Sequence, residues 1–174
     1  GRGEYSGEIP KSFIFSHMLH SFCRHGLFDL SIIANGDNNI HHTCENIAIT
    51  LGAAFRKTLD TGADSMHRIY TEHVIQDDTL VRCVVDIAPI QSFSYVDLQL
   101  INECIDGLPR DVFPHFFRSF ATEAKMNIHV SVLYGEDEHH KIEAAFKALG
   151  RAIHYASKYD VQRQSMNVGW EGKE

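Results

Sequence analysis

His41-His42-Thr43-Cys44-Glu45 and His139-His140-Lys141-Ile142-Glu143 both read HHxxE, and their first histidines stand 98 residues apart (139 − 41). Another histidine lies 24 residues upstream of each, His17 in SHMLHSF and His115 in PHFFRSF, and 115 − 17 is again 98. Eight side chains with metal-ligating chemistry therefore fall into two sets of four at one fixed offset: His17, His41, His42 and Glu45, then His115, His139, His140 and Glu143. An offset kept over four positions marks an internal duplication, not scattered histidine usage.

Helix geometry gives the motif its chemistry. The first His and the Glu of HHxxE are i and i+4 and share one face, while the second His is turned by about 100°. One His plus the Glu can hold one ion, and the adjacent His then serves a second. Each motif supplies half-sites that the other motif, or a second subunit, must complete. A nitrogen-and-oxygen ligand set without thiolate suits Mn(II), two ions per active site, with Zn(II), Fe(II) or Ni(II) left open. Surface histidines near helix starts would account for one such motif, but not for two in register with upstream histidines.

A chain of 174 residues makes one ordinary domain or two small fused units. The duplication favours the second: residues 1–65 as a first half and 66–174 as a second, joined in one unit. With 44% hydrophobic and 22% charged residues the composition is that of a globular chain. A net charge of −7 argues against a nucleic-acid surface and means that any phosphate site must be built locally. Cys23, Cys44, Cys83 and Cys104 form no CxxC pair and lie in apolar segments, which reads as packed thiols in a reducing, cytoplasmic setting. No apolar run is long enough for a membrane span, and GRGEYSGEIP (1–10) lacks the features of a secretory signal.

The patterning predicts an α+β fold. SFIF (12–15) reads as a short strand, 16–24 as a helix stopped at His25-Gly26, and FDLSIIA (28–34), with its alternating apolar residues, as a half-buried strand. Residues 1–11 read as a turn or frayed end. Helical periodicity runs from His41 to Leu59, from about Asp111 to Ala124 and from His139 to about Ser157. Strands are expected near 68–75, 81–87, 94–98 and 126–134, with Asp77-Asp78 and Ala88-Pro89 as turn material. Each half thus ends in helix, strand, helix. About 45 residues stand before His115 in its half and only 16 before His17, so by its own symmetry the chain looks short at the N-terminus by roughly 30 residues.

SHMLHSFCRHGLFDL (16–30), HHTCENIAITLGAAF (41–55), DDTLVRCVVDI (77–87), HFFRSFA (115–121) and LYGEDEHHKIEAAFKALGRAI (133–153) together resemble the imidazoleglycerol-phosphate dehydratase family. The resemblance implies an internally duplicated fold similar to the second domain of ribosomal protein S5, each half a small sheet with two helices packed on one face. It also implies a homo-oligomer of 24 subunits with di-manganese sites at subunit contacts. The family's metal ligands fall on His17, His41, His42, Glu45, His115, His139, His140 and Glu143, all of the required type. Its substrate-contacting histidine falls on His25, its phosphate-binding arginine on Arg68 with one residue inserted, and its lysine on Lys147. Ser165 opens Ser165-Met166-Asn167-Val168-Gly169, a faint echo of the family's serine-threonine-lysine-glycine turn.

The chain departs from the family's pattern at Ser16 and Asn46, each in place of an aspartate, and at Ile90, in place of a second phosphate arginine. The family's N-terminal strand, with its substrate-contacting glutamate, has no counterpart. Losing one bidentate Arg–phosphate contact costs about 2 to 3 kcal/mol. The activity implied is dehydration of imidazole glycerol phosphate to imidazole acetol phosphate in histidine biosynthesis, through a metal-bound imidazolate. In it Glu45, Glu143, His42 and His140 form the catalytic set, the two glutamates being the nearest groups for proton transfer. Two other readings stay open. One is a metal-binding assembly homologue on the same scaffold with weak or no dehydratase activity; the other, a di-metal hydrolase, explains the ligands but not the match over the whole chain.

Overall fold

Ser12 decides where regular structure starts. Its Oγ accepts a hydrogen bond from the Phe15 amide (3.2 Å) and caps helix α1 (Phe13–Gly26), so SFIF enters this helix and is not the expected strand. A capping hydroxyl satisfies one of the first-turn amides that a helix leaves without partners. The computed structural model describes residues 1–10, 12–35, 39–59, 65–87, 91–160 and 162.

Strand β1 (Tyr5–Ser6) pairs in parallel with β2 (Leu30–Ser31). The strand expected over 28–34 is therefore two residues long, and the expected frayed start is tied down. The amides of Arg2 and Glu4 donate to Asp29 Oδ1 at 2.7 and 3.2 Å. Helix α2 (Ile40–Leu59) follows, then β3 (Ile69–Gln76), β4 (Thr79–Asp86) and β5 (Phe93–Asp97). A hairpin that periodicity could not reveal, β6 (Cys104–Ile105) and β7 (Leu108–Pro109), precedes α3 (Val112–Ala124). Cys104 sits exposed on that hairpin, unlike the buried Cys23, Cys44 and Cys83, which corrects the expectation that all four thiols are packed. Strand β8 (Asn127–Tyr134) and helix α4 (Glu138–Ala156) complete the order.

The main sheet runs β3-β4-β8-β5, antiparallel except for the parallel pair β5 and β8. One face buries Val81, Cys83 and Val85 of β4 and Ile128, Val130 and Val132 of β8, alternate residues as the pleat requires. Helix α4 covers this face over β3 and β4, and α3 lies against β5. Phe15, Phe116, Phe117 and Phe146 interlock between helices, with centroids 5.5 Å apart for Phe15–Phe116, 4.9 Å for Phe116–Phe146 and 5.0 Å for Phe117–Phe146. Such edge and tilted pairs add about 0.5–1.5 kcal/mol each beyond burial.

Two helix crossings fix the positions of the functional side chains. α1 packs on α4 and α2 packs on α3. At the first crossing a Cβ on Gly150 would stand 2.3 Å from the Phe22 carbonyl oxygen; at the second, a Cβ on Gly52 would stand 2.7 Å from that of Phe120. Gly52 and Gly150 are 98 apart, as are Phe22 and Phe120 (150 − 52; 120 − 22). α1 and α3 also end alike, at Leu27 (φ 55°) and Lys125 (φ 50°), both left-handed and again 98 apart (125 − 27). In an open helix, Gly→Ala gains about 0.5–1 kcal/mol of propensity. Against backbone at these distances overpacking wins, at about 1–3 kcal/mol. Gly150→Ala and Gly52→Ala are each expected to lower the denaturant midpoint, by about 1–2 kcal/mol net; an unchanged or raised midpoint would refute the tight crossings.

Candidate metal centre

The α1–α4 crossing brings His17 of α1 against His139 and Glu143 of α4. His17 Nε2 lies 3.5 Å from Glu143 Oε1, His139 Nε2 lies 3.7 Å from Glu143 Oε2, and the two imidazoles stack with centroids 5.7 Å apart. The α2–α3 crossing does the same for His41 and Glu45 of α2 and His115 of α3. His115 Nε2 stands 3.0 Å from Glu45 Oε1, and the rings of His41 and His115 meet edge to face at 4.8 Å. Within each trio one ligand atom per residue lies within 4.8 Å of the others.

The trios do not follow the two sets of four read from the sequence. Each combines a His–Glu pair from one HHxxE with the upstream histidine of the other half: His17 joins His139 and Glu143, while His115 joins His41 and Glu45. Tertiary packing exchanges the partners. His42 and His140 stand outside both trios. His42 is exposed, with its ring 6.4 Å from that of His41, and His140 turns toward the β3–β4 turn at 85° to the His139 ring.

Four aspartates stand beside these histidines, Asp77, Asp78, Asp106 and Asp111, and the sequence marks none of them as a site residue. Asp106, at the tip of the β6–β7 hairpin, lies 2.6 Å from His139 Nδ1, and Asp78 Oδ1 lies 2.7 Å from His140 Nδ1. Asp111 Oδ2 lies 3.5 Å from His41 Nδ1. Asp77-Asp78 read only as turn material, and Asp106 sits in a hairpin that periodicity could not show. Asp78 Oδ2 also accepts from the amides of Glu136 (2.6 Å) and Asp137 (3.1 Å). The Glu136 amide, the His140 ring and the Asp137 amide hold the Asp78 carboxyl well below the usual range, and Asp78 in turn raises His140. Asp137 caps α4 through the amides of His139 (2.8 Å) and His140 (3.2 Å).

Glu143 is the most enclosed of the ligands, its side chain 12% exposed. Lys147 Nζ approaches Oε1 to 2.9 Å and Ser21 Oγ donates to the same oxygen at 3.2 Å. Burial alone would push Glu143 up; Lys147, His17 and Ser21 outweigh it and hold the carboxyl below its ordinary value. Around Lys147 gathers a cationic corner. His25 is pushed down by burial and by Lys147 and Arg151, and Lys147 also donates to Gln76 Oε1. Arg68, by contrast, spends its fork on Asp86, with Nε 2.8 Å from Oδ1 and Nη2 3.1 Å from Oδ2. Ser165 and Ile90 lie outside the described residues.

The residues suit a divalent cation. Each trio offers two imidazoles and a carboxylate, and Asp106 bonds the far ring nitrogen of His139 as a carboxylate does behind a metal-bound histidine. Cys44, inside the first HHxxE, packs in the core with its thiol pushed up to about 12 by burial, so sulfur takes no part. What remains is a nitrogen-and-oxygen set.

Comparison with known proteins identifies the family. The family model "Imidazoleglycerol-phosphate dehydratase" matches residues 11–153. Relatives of that name include proteins from Dehalococcoides mccartyi, 38% identical over 91% of this chain and 80% of the relative, and from Caldanaerobacter subterraneus subsp. tengcongensis, 41% identical over 92% and 82%. Among solved structures, the imidazoleglycerol-phosphate dehydratase of Staphylococcus aureus superposes with a TM-score of 0.82 at 29% identity, covering 90% of each chain. The enzyme from Pyrococcus furiosus, solved in complex with (S)-C348, gives 0.79 at 32%, over 91% of this chain and 87% of that one. With the family model spanning most of its length and both HHxxE motifs inside the match, the chain belongs to the imidazoleglycerol-phosphate dehydratase family.

Proposed function

We propose that the protein is a divalent-metal-dependent hydro-lyase that converts imidazole glycerol phosphate to imidazole acetol phosphate and water in histidine biosynthesis. The observation that carries the reading is the pair of His–His–Glu trios, one at each helix crossing. The reaction takes hydroxide from the carbon beside the ring and a proton from the next carbon, leaving an enol that tautomerises to the ketone. With two divalent ions bound, for which the nitrogen-and-oxygen set suits Mn(II) and leaves Zn(II), Fe(II) or Ni(II) open, their charge would favour the substrate ring as its anion.

His17, His139 and Glu143 would hold one ion, and His41, Glu45 and His115 the other. His42 and His140, which leave the trio of their own helix, would ligate in sites completed with other copies of the chain, in a homo-oligomer of 24 as the family resemblance implies. The recurring 98-residue offset supports halves at 1–65 and 66–174 arising by duplication. Glu143, held as carboxylate by Lys147, is suited to gripping a cation; Glu45 and Glu143 are the nearest carboxylates for proton transfer. Lys147 and His25, in the cationic corner beside Glu143, would receive the phosphate, with Ser165 contributing from the tail.

The engagement of Arg68 by Asp86 favours a second reading, a metal-binding assembly homologue with weak or no turnover. Assay of Mn(II)-loaded protein for imidazole acetol phosphate separates the two. Turnover is expected, abolished by chelator and cut at least about a hundredfold by His140→Ala, since removing a ligand exceeds the 10–100-fold typical of its supporting partners. Mn(II) binding and assembly without turnover would favour the second reading. Lys147→Ala is expected to raise KM by about 10–100-fold through loss of a charged hydrogen bond worth about 1.5–3 kcal/mol; an unchanged KM would remove Lys147 from the phosphate site.

Protons compete with metal for imidazole. Mn(II) affinity is therefore expected to fall as pH drops through about 6.5, the ordinary histidine value. Because Asp78 raises His140, protons take that imidazole at a higher pH than the ordinary histidine value dictates. Titrations of Mn(II) followed by electron paramagnetic resonance between about pH 5.5 and 8 check the fall; affinity that rises on acidification would refute imidazole ligation.

A further inference from the structure

The adjacent histidines of α4 are each held from behind by a carboxylate on a turn. Asp106 (φ 47°) reaches His139 Nδ1 from the hairpin tip, and Asp78 reaches His140 Nδ1 from the β3–β4 turn. Neither aspartate belongs to a trio. Both turns are pinned to the start of α4. Glu138, buried, accepts from the amides of Ile101 (2.6 Å) and Asn102 (3.1 Å) at the base of the hairpin, and Lys141 Nζ donates to the Gln99 carbonyl at 3.1 Å. On the other side Asp78 binds the amides of Glu136 and Asp137 with the oxygen that it does not offer to His140.

A carboxylate offers only acceptors, and at each ring the one within hydrogen-bond distance is on Nδ1, at 2.6 and 2.7 Å against 3.7 and 3.4 Å for those near Nε2, so in the neutral ring the proton belongs on Nδ1 and the lone pair stays on Nε2. The rings lie at 85° to one another with centroids 6.2 Å apart, so the two free lone pairs point in different directions. His139 Nε2 faces Glu143 Oε2 at 3.7 Å, whereas His140 Nε2 faces away, toward Asp77 Oδ2 at 3.4 Å.

We propose that Asp106 and Asp78 are positioning residues that lock His139 and His140 in the Nδ1–H tautomer and aim their Nε2 atoms at two separate ions. The proposal rests on the reading of these histidines as metal ligands. It assigns work to the β6–β7 hairpin, whose tip carries one of the two carboxylates, and explains how two neighbouring residues of one helix serve different ions without competing for one.

The test uses full-length protein labelled with 15N in histidine. In metal-free protein, at a pH high enough that both rings are neutral, long-range 1H–15N spectra should show His139 and His140 as Nδ1–H tautomers, each assigned through its alanine variant. Asp106→Ala should return His139 to a tautomer mixture and weaken one class of Mn(II) site by about 10–100-fold, with the thermal midpoint little changed. Asp106→Asn, which keeps an acceptor oxygen, should restore the tautomer and most of the affinity. Asp78→Asn should act likewise on His140. Asp78 also binds two amides, so should its variants unfold, the exposed Asp106 decides the outcome. If His139→Ala abolishes Mn(II) binding but Asp106→Ala alters neither tautomer nor affinity, the positioning role is overturned while the ligand reading stands. If His139→Ala leaves Mn(II) binding intact, the ligand reading falls and the proposal with it.

Discussion

Two helix crossings, tight enough that a single methyl group would strike backbone, hold the rest of this structure in place. At Gly150 the neighbouring chain is the Phe22 carbonyl, and at Gly52 it is the Phe120 carbonyl. Close approach of the axes brings α1 onto α4 and α2 onto α3, and the trios sit toward the N-terminal parts of the long helices. His17 meets His139 and Glu143, and His115 meets His41 and Glu45. Had larger residues held the axes apart, the same ligands would not converge. Helix packing and ligand geometry are here one constraint.

The site's electrostatics are local and run against the chain's net charge. A protein of −7 concentrates aspartates and glutamates around the first turn of α4, where Asp78, Asp106, Asp137 and Glu138 bind rings or amides. One turn and more along the same helix, Lys147 and Arg151 lie near His25 and pair with Glu143 and Glu72. The acidic end holds two imidazoles by their Nδ1 atoms, and farther along the helix cations balance carboxylates.

Membership in the family does not erase what is particular to this chain. Arg68 is engaged by Asp86 in a two-bond fork, and Ser16 accepts from the Ile9 amide at 3.3 Å. Both side chains serve intramolecular contacts. The first two strands are only two residues each, in contrast to the eight-residue β3, β4 and β8 of the main sheet.

By itself the sequence determined the helices, the main strands and the ligand types, because these depend on interactions within a few residues or on a repeat that simple counting exposes. The i, i+4 relation of His139 and Glu143 needs only a helix, and the 98-residue offset needs only the chain. SFIF has the apolar run of a short strand, yet a capping hydroxyl at Ser12, a single local contact, draws it into the start of α1. Tertiary structure alone decided which His joins which His–Glu pair, since that depends on which helices cross. It also supplied Asp106 and Asp78, 33 and 62 residues from the rings they touch. No periodicity encodes a contact between a turn and a helix so far apart along the chain; only the folded backbone brings the carboxylate to the nitrogen.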